Sequence, residues 1–280
     1  MKFTKIRKLS EVANEYDVIM FDLWGVLIEG NALYPNVEGV VNKLMQHKQV
    51  LFVSNAPRIK HHAAERLRNF GINCSDDQMF TSGQMSRDLV DSDSRNIVYN
   101  LSHGNYPNTI EEGCRLTRNL EEATILLLTA QIEEGEDLEM FNPVLKRALE
   151  LGLPCVCANP DKTIPNQGKL RYCPGYFADI YEKMGGKVTV IGKPGKDIFL
   201  NAIESLSVKP TLDRVLMIGD TLETDILGAE SAGINSALVL TGNANLILSR
   251  CRTEEEKLTA ISEYCTLHGT IPTMLIDITS

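Results

Sequence analysis

The sequence predicts a doubly wound α/β fold, in which a parallel Rossmann-like sheet carries an inserted α/β cap domain. Short, mostly apolar runs such as Val18–Phe21 and Arg214–Ile218 stop abruptly at Asp22 and at Gly219-Asp220, which is typical of buried strands in a parallel sheet. Amphipathic segments with helical spacing separate these runs. The length of 280 residues accommodates a core and a second, inserted domain.

The first part of the chain is predicted to form a βαβ unit and two further elements of the same sheet. A strand, a helix and a second strand follow one another, and this connection implies a parallel strand pair. The second strand ends at Ser54-Asn55, and Gly71 stops the second helix. The predicted elements are, in order, strand Val18–Phe21, helix Val37–His47, strand Gln49–Val53, helix Pro57–Phe70 and strand Met79–Ser82.

A change in sequence composition near Gln84 predicts the start of the insertion. The polar stretch DSDSRN is followed by a second alternating set of strands and helices, which we assign to a cap domain over residues 86–187. The core domain then comprises residues 1–85 and 188–280. The predicted cap elements are strand Asn96–Leu101, a turn at His103-Gly104-Asn105, strand Ala123–Ala130, helix Asp137–Leu151, strand Pro154–Ala158 with the terminating turn Asn159-Pro160-Asp161, and helix Pro174–Met184.

The last part of the chain is predicted to return to the first sheet. Val188–Ile191 is expected to rejoin that sheet, with Gly192-Lys193-Pro194-Gly195 directly after it. Thr253 and Glu256 have the spacing of a capping box at the start of the last helix. The remaining predicted elements are helix Lys196–Ser207, strand Arg214–Ile218, helix Thr224–Ala232, strand Ser236–Leu240, helix Thr253–Leu267 and strand Thr273–Ile278.

Charge and cysteine content restrict the classes of partner and compartment. A net charge of −9 and a pI near 5.2 disfavour nucleic acid and anionic membranes as partners, and favour small molecules. The N-terminus lacks the apolar segment of a signal peptide, and no run approaches the ~18 apolar residues of a membrane span. Seven cysteines without a repeated spacing indicate a reducing, cytoplasmic location. Cys155 and Cys157 are expected to be buried thiols on one face of a strand, rather than metal ligands.

Polar side chains follow four of the predicted strands, at the edge where open α/β sheets bind their ligands. Taken alone, a strand-end Asp often only caps a turn. Together, however, these groups form a set of carboxylates, one ammonium and one hydroxyl, which suits a divalent cation and a phosphoryl group. The set consists of Asp22, Ser54-Asn55, Lys193, and Asp220 with Asp225.

Four motifs that contain these residues resemble those of the haloacid dehalogenase superfamily. They are FDLWGVL (Phe21–Leu27), FVSN (Phe52–Asn55), IGKPG (Ile191–Gly195) and IGDTLETD (Ile218–Asp225). The insertion between the second and third motifs is similar to the large α/β cap of subfamily IIA. This branch contains phosphatases of pyridoxal phosphate, phosphoglycolate, nucleotides and sugar phosphates. The resemblance covers essentially the whole chain.

The resemblance implies a role for each matched residue, a Mg²⁺ cofactor and a small phosphorylated metabolite as substrate. It implies that Asp22 is the nucleophile that forms an aspartyl-phosphate and also binds the metal. The Asn-Pro-Asp turn resembles a cap motif that lies near the substrate, although a plain strand-ending turn is an equally good interpretation. The other implied roles are phosphate binding for Ser54, Asn55 and Lys193, substrate contact for Asn159 and Asp161, and metal binding for Asp220, Asp225 and the backbone carbonyl of Trp24.

Trp24 departs from the family pattern, because phosphatases of this superfamily carry a second Asp two residues after the nucleophile as general acid and base. An indole N–H only donates hydrogen bonds and does not exchange protons near neutral pH. Metal and phosphate binding are expected to persist. Proton transfer to the leaving oxygen and activation of water are expected to be lost, at a typical cost of a factor of ~10²–10⁴.

Three functions follow from this departure. The first is a slow or atypical hydrolase that favours good leaving groups or uses a substitute acid from the cap. The second is a pseudo-enzyme that binds a phosphometabolite as a sensor or interaction module. A dehalogenase is the weakest of the three, because displacement on carbon without a metal does not need Asp220 and Asp225. Relatives also include homodimers formed through the cap, so such a dimer is one arrangement that the resemblance allows.

Overall fold

The computed structural model describes residues 3–103, 114–166 and 169–278. The chain divides into two compact units. The first contains the residues up to Ser54, Ala64–Phe80 and the residues from Lys193 onward. The second contains Asn55–Ala63 and Thr81–Gly192. Each unit has its own parallel sheet.

The strands and helices alternate along most of the chain, as the sequence predicts. The strands are β1 (Ile6–Lys8), β2 (Val18–Phe21), β3 (Ile28–Glu29), β4 (Ala32–Leu33), β5 (Gln49–Ser54), β6 (Met79–Thr81), β7 (Val98–Leu101), β8 (Ile125–Leu128), β9 (Ile132–Glu133), β10 (Cys155–Cys157), β11 (Thr163–Asn166), β12 (Lys169–Tyr172), β13 (Val188–Val190), β14 (Val215–Gly219), β15 (Asn235–Val239) and β16 (Met274–Asp277). The helices are α1 (Leu9–Val12), α2 (Val37–Met45), α3 (Lys60–Asn69), α4 (Ser82–Asp91), α5 (Asn142–Glu150), α6 (Pro174–Lys183), α7 (Asp197–Glu204), α8 (Leu227–Ala232), α9 (Gly242–Leu248) and α10 (Glu254–His268).

The sheet of the first unit has seven strands in the order β1-β16-β15-β14-β2-β5-β6. The strands β14, β2 and β5 are parallel, and Phe21 lies opposite both Ile218 and Phe52. This register ends the three strands at the same level, so the residues that follow them share one edge of the sheet. The central strand β2 is fully buried, as expected from its uninterrupted apolar run. The predicted doubly wound α/β core is confirmed.

The second unit contains a four-stranded parallel sheet in the order β13-β10-β8-β7 and a three-stranded antiparallel sheet in the order β11-β12-β9. Phe141, Phe177 and Tyr181 form an aromatic part of its core. The Tyr181 hydroxyl donates a hydrogen bond of 2.7 Å to a backbone carbonyl, which satisfies its buried polar end. Cys155 and Cys157 lie in the same core as buried free thiols, as predicted.

The prediction that Val188–Ile191 rejoins the first sheet is wrong. This segment forms β13, which pairs in parallel with β10 in the sheet of the second unit. The second unit correspondingly extends to Gly192, five residues beyond the predicted cap boundary at 187. An alternating run of four residues predicts a strand but carries no information about its neighbour, because strand pairing depends on the connections around it.

Several elements are absent from the sequence-based assignment. The helix α4 covers Ser82–Asp91, ahead of the polar stretch DSDSRN that begins at Asp91, and β3 and β4 form a short antiparallel hairpin after β2. The strands β1, β9, β11 and β12 and the helices α1 and α9 are also additional. Gly104 and Asn105 of the predicted turn lie outside the described residues. In the described part of the chain, no helix combines the length and the apolar character that crossing a bilayer requires.

Candidate active site

Asp22 lies directly after the central strand β2, at the carboxyl edge of the sheet. Its backbone N–H donates to the Ile218 carbonyl at 2.9 Å, so the strand pairing continues to this residue and holds its position. The residue is buried, with 7% of its surface exposed. Its Oδ1 accepts a hydrogen bond of 2.5 Å from Lys193 Nζ. A buried carboxylate at this place is therefore paired with an equally buried ammonium.

Lys193 connects three neighbouring strand ends. Its Nζ contacts Asp22 Oδ1 after β2, donates to the Val53 carbonyl within β5 at 3.1 Å, and forms an ion pair of 2.7 Å with Asp225 Oδ1 after β14. Burial by itself lowers the pKa of this ammonium, but the charges of Asp22 and Asp225 outweigh that effect and raise its pKa above the usual value. Lys193 therefore stays protonated, and its positive charge faces both acids.

Asp225 forms the turn that follows β14. Its Oδ2 accepts hydrogen bonds from the backbone N–H groups of Asp220 and Thr221 at 3.1 and 3.2 Å. This side chain packs directly against Gly219, where an added Cβ would lie 2.1 Å from the Asp225 Cβ. Only a glycine at position 219 leaves room for Asp225 to approach this closely. This is a physical reason for the Gly-Asp pair in the sequence.

Asp220 is held through both of its carboxylate oxygens. Its Oδ1 accepts from the Thr221 hydroxyl at 3.0 Å, and its Oδ2 accepts from the backbone N–H of Asn243 at 2.7 Å. One carboxylate oxygen from each of Asp22, Asp220 and Asp225 lies within 4.8 Å of the other two. All three side chains are buried. The first sheet therefore brings together the four charged residues that the sequence selects.

The electrostatics of this cluster fit a divalent cation. Burial raises the pKa of Asp22 to about 7, and the charge of Asp225 adds to this effect while Lys193 opposes it. The pKa of Asp220 is raised well above its usual value, first by burial and then by the charges of Asp225 and Asp22. Because three buried carboxylates face one ammonium, a bound cation with a preference for oxygen ligands, such as Mg²⁺, would stabilise the ionised acids.

We expect the stabilisation by Mg²⁺ to depend on pH. Without metal, Asp22 and Asp220 hold protons in the folded state that they release in the unfolded state, where their pKa is near 3.8. The folded state therefore binds more protons, and the free energy of unfolding falls as the pH rises from about 4 through 7. Mg²⁺ should offset this loss, so the increase in Tm on adding Mg²⁺ should be larger at about pH 8 than at about pH 5.5.

Differential scanning fluorimetry of the full chain with and without Mg²⁺ measures this dependence. Ca²⁺ provides a second hard cation, and Na⁺ at matched ionic strength controls for screening of surface charges. An equal or larger increase in Tm at the lower pH would contradict the expectation, because protons and the cation would then not compete for the same carboxylates.

Ser54 and Asn55 are adjacent in the chain but belong to different units. Ser54 is the last residue of β5 and is almost completely buried in the first unit. In the second unit, the Asn55 Nδ2 donates to Asp161 Oδ1 at 3.0 Å. The backbone N–H of Asp161 in turn donates to Asn159 Oδ1 at 2.8 Å, which is the local bonding expected of an Asn-initiated turn. The phosphate role of Ser54 and Asn55 and the substrate role of Asn159 and Asp161 stay predictions.

Trp24 occupies a turn closed by a hydrogen bond of 2.9 Å from the Gly25 N–H to the Ile28 carbonyl. The Arg66 guanidinium lies 4.7 Å from the centre of the indole ring, within the range of a cation–π contact. Arg66 also donates to the Gly30 carbonyl at 3.2 Å. The residue is exposed, at 39% of its surface. The position two residues after Asp22 therefore carries an exposed aromatic group packed against a cation.

The segment Thr241–Asn243, which contributes the backbone donor to Asp220, is not among the site residues predicted from the sequence. Thr241 also donates from its hydroxyl to the Gly25 carbonyl at 2.6 Å. The sequence does indicate this segment, since its residues directly follow a predicted strand and therefore reach the same edge of the sheet. Arg66 had no comparable signal, because it lies inside a helix with several other basic residues.

Comparisons with known proteins agree with this geometry. A family model described as haloacid dehalogenase-like hydrolase matches residues 16–233, a range that contains all four charged residues of the cluster. Haloacid dehalogenase-like hydrolase domain-containing protein 2 from Bos taurus is 27% identical over 227 residues, which cover 80% of this chain and 84% of that protein. The similarity therefore includes the core and the insertion.

Solved structures show the same fold. A possible sugar phosphatase of the HAD superfamily from Cytophaga hutchinsonii has a TM-score of 0.80 at 25% identity, with coverage of 99% of this chain and 98% of that chain. A glycerol phosphate phosphatase from Mycobacterium tuberculosis, in complex with magnesium, has a TM-score of 0.66 at 25% identity, with coverage of 86% and 71%. Both structures carry phosphatase names, and the second contains a divalent cation.

Proposed function

Because the chain belongs to the haloacid dehalogenase-like hydrolase family, we propose that it is a Mg²⁺-dependent phosphatase that acts on a small phosphorylated metabolite. The observation that carries the proposal is the buried contact of Asp22 with Lys193, next to Asp220 and Asp225. A nucleophilic carboxylate, a fixed ammonium and a pair of metal-binding acids are the groups that phosphoryl transfer through a covalent intermediate requires.

The proposed reaction has two steps at Asp22. In the first, an Asp22 oxygen forms a bond to phosphorus while the bond to the leaving oxygen breaks, and the leaving group takes that electron pair. In the second, a water oxygen forms a bond to phosphorus while the bond between phosphorus and the Asp22 oxygen breaks. The Asp22 carboxylate takes that electron pair, and the phosphate departs with both protons of the water. Lys193 holds Asp22 in position and neutralises phosphoryl charge in both steps, and the Ser54 hydroxyl donates to a phosphoryl oxygen.

The proposed cation would be held by Asp22, Asp220 and the Trp24 carbonyl, with Asp225 orienting its surroundings. When bound, it would supply positive charge that lowers the repulsion between the Asp22 carboxylate and an anionic phosphate ester. Asp225 already fixes the backbone of Asp220 and Thr221, because its Oδ2 accepts one hydrogen bond from the N–H of each. Lys193 would keep its contact with Asp22, so that the nucleophile does not rotate.

Trp24 determines which leaving groups the proposed phosphatase can release. Neither the indole nor the Arg66 guanidinium packed on it gives up a proton near neutral pH. The leaving oxygen must then depart without a proton from this position. We therefore propose a slow hydrolase whose rate depends strongly on the leaving group, with phosphate esters of acidic alcohols or phenols as its better substrates.

The same residue supports a second candidate, a pseudo-enzyme that binds a phosphometabolite without turnover. The cation–π contact gives Trp24 a defined place in the fold, as expected for a residue that is retained for packing. The intact cluster of Asp22, Lys193, Asp220 and Asp225 speaks against this candidate, because binding alone does not need a nucleophile.

Phosphate release by the wild-type protein distinguishes the two candidates. The substrates are p-nitrophenyl phosphate and a panel of alkyl and sugar phosphates, assayed with Mg²⁺ and with excess EDTA. We expect release with Mg²⁺, fastest for p-nitrophenyl phosphate, and background release with EDTA. The same rate in EDTA would contradict a role for the metal, and the absence of turnover on every substrate would favour the pseudo-enzyme.

A further inference from the structure

The segment Thr241–Asn243 lies against both parts of the chain that the proposed function assigns to the metal. Its Asn243 N–H donates to Asp220 Oδ2 at 2.7 Å, and its Thr241 hydroxyl donates to the Gly25 carbonyl at 2.6 Å. Gly25 is the residue after Trp24, whose carbonyl is the proposed backbone ligand. One short segment therefore contacts Asp220, the proposed side-chain ligand, and also the peptide group that follows the Trp24 carbonyl, the proposed backbone ligand.

A second set of bonds ties the Asn243 side chain to the same carboxylate. The Asn243 Nδ2 donates to the Thr221 hydroxyl at 2.7 Å, and that hydroxyl donates to Asp220 Oδ1 at 3.0 Å. Both oxygens of Asp220 are thus oriented, one through the Asn243 backbone and the other through its side chain. Each oxygen accepts one of these bonds and keeps a lone pair for a cation.

Two glycines make this arrangement sterically possible. Gly242 has a φ of +56° and Gly25 a φ of +81°, and an added Cβ at either residue would lie 2.1 Å from Asp220 Oδ2. An added Cβ at Gly242 would also lie 2.6 Å from the Gly25 Cα. The Asp220 carboxylate therefore sits between two backbone segments that approach closely only without side chains.

The Gly242 backbone is fixed from the other side by a tyrosine. Its N–H donates to the Tyr34 hydroxyl at 3.2 Å, and Tyr34 follows the β3–β4 hairpin. The segment is thus held at Gly25, at Tyr34 and at Thr221, all within the first unit. With three such attachments, its position is set independently of a bound ion.

We propose that Thr241, Gly242 and Asn243 are positioning residues, which preorganise Asp220 and the Trp24–Gly25 peptide for the divalent cation. This inference rests on the proposed function, because it presumes that the cluster binds Mg²⁺. Groups that orient metal ligands without touching the metal typically affect affinity by about 10–100-fold. The segment should therefore control Mg²⁺ affinity although no side chain of its own is a ligand.

The test compares two glycine substitutions that impose the same backbone cost. Gly242→Ala places a methyl group on Asp220, whereas Gly269→Ala has a similar φ of +69° and no atom within 4 Å of the added Cβ. Isothermal titration of the 280-residue chain with MgCl₂ gives the Kd of each variant. We expect Gly242→Ala to weaken Mg²⁺ binding by at least about 10-fold, with Gly269→Ala unchanged from wild type.

Thr241→Val and Thr241→Ser provide a second measurement if Gly242→Ala does not fold. Thr241→Val removes the hydroxyl that donates to Gly25 and should weaken Mg²⁺ binding, while Thr241→Ser keeps that hydroxyl and should restore it. Wild-type affinity in both Gly242→Ala and Thr241→Val would overturn the positioning role. If the wild-type protein itself binds no Mg²⁺, the metal site of the proposed function is overturned instead.

Discussion

Phosphate release is expected to fall by a factor on the order of 10⁴ or more when Asp22 is replaced with Asn, because the amide cannot form the covalent bond to phosphorus. Lys193 would still contact the phosphoryl group, and the acids that follow β14 would still be available to the cation, so substrate affinity should change far less than turnover. The substitution also removes one of three clustered buried carboxyl groups, whose burial and mutual repulsion raise the pKa of Asp22 and Asp220. We therefore expect a Tm equal to or above that of the wild type.

Asp17→Asn is the matched control for this substitution. Asp17 precedes the same strand, is exposed, and pairs with Arg214 on the surface at 2.7 Å. Surface ion pairs contribute little, so turnover should stay near the wild-type value. Steady-state kinetics with p-nitrophenyl phosphate and MgCl₂ measure both variants. Comparable turnover in Asp22→Asn and wild type would exclude the aspartyl-phosphate mechanism.

Replacing Trp24 with Asp is expected to raise kcat for alkyl phosphates by a factor of ~10²–10⁴, the usual contribution of a general acid and base. The introduced carboxylate would protonate a poor leaving oxygen and then activate the attacking water. For p-nitrophenyl phosphate, whose leaving group needs no proton, the expected gain is confined to the second step. The ratio of alkyl to aryl turnover should therefore increase.

Arg66 is the main group that opposes the expected increase in kcat of the Trp24→Asp variant. Its guanidinium packs on the Trp24 ring and would be free to pair with an introduced carboxylate, which would hold that group ionised. Trp24→Asn removes the ring in the same way but cannot transfer protons, so any gain that it shares with Trp24→Asp arises from space and not from acid catalysis. A Trp24→Asp variant that is no faster than Trp24→Asn would show that proton transfer at this position does not limit the wild-type enzyme.

The charged cluster was predictable because parallel strands impose a simple rule on their ends. Each charged residue of the cluster comes directly or shortly after a strand, namely Asp22, Lys193, Asp220 and Asp225. The register of β14, β2 and β5 brings the ends of these three strands to nearly the same level. Lys193 reached the cluster even though the strand before it belongs to the other sheet. The rule for strand ends therefore accounts for the three acids but not for Lys193, which is selected by the resemblance of Ile191–Gly195 to a family motif.

Other features depend on contacts between segments that are distant in sequence. The cation–π contact of Arg66 with Trp24 joins a helix to the first strand-end turn. The hydrogen bond from Thr241 to Gly25 spans 216 positions. Neither residue type is unusual at its place in the chain. Local periodicity and turn chemistry therefore cannot identify them, because the partner that gives each one its role comes from another element.

The sequence by itself determined the α/β fold, the order of its main strands and the acids at their carboxyl ends, and it selected Lys193 through a motif. These properties follow from short-range patterns: apolar runs specify buried strands, and parallel strands share an edge. Only the tertiary structure decided that Val188–Val190 pairs within the second sheet, that Thr241–Asn243 holds Asp220, and that Trp24 packs against Arg66. The physical reason is that strand neighbours, close backbone approaches and side-chain stacking are set by packing between distant segments, which periodicity along the chain does not encode.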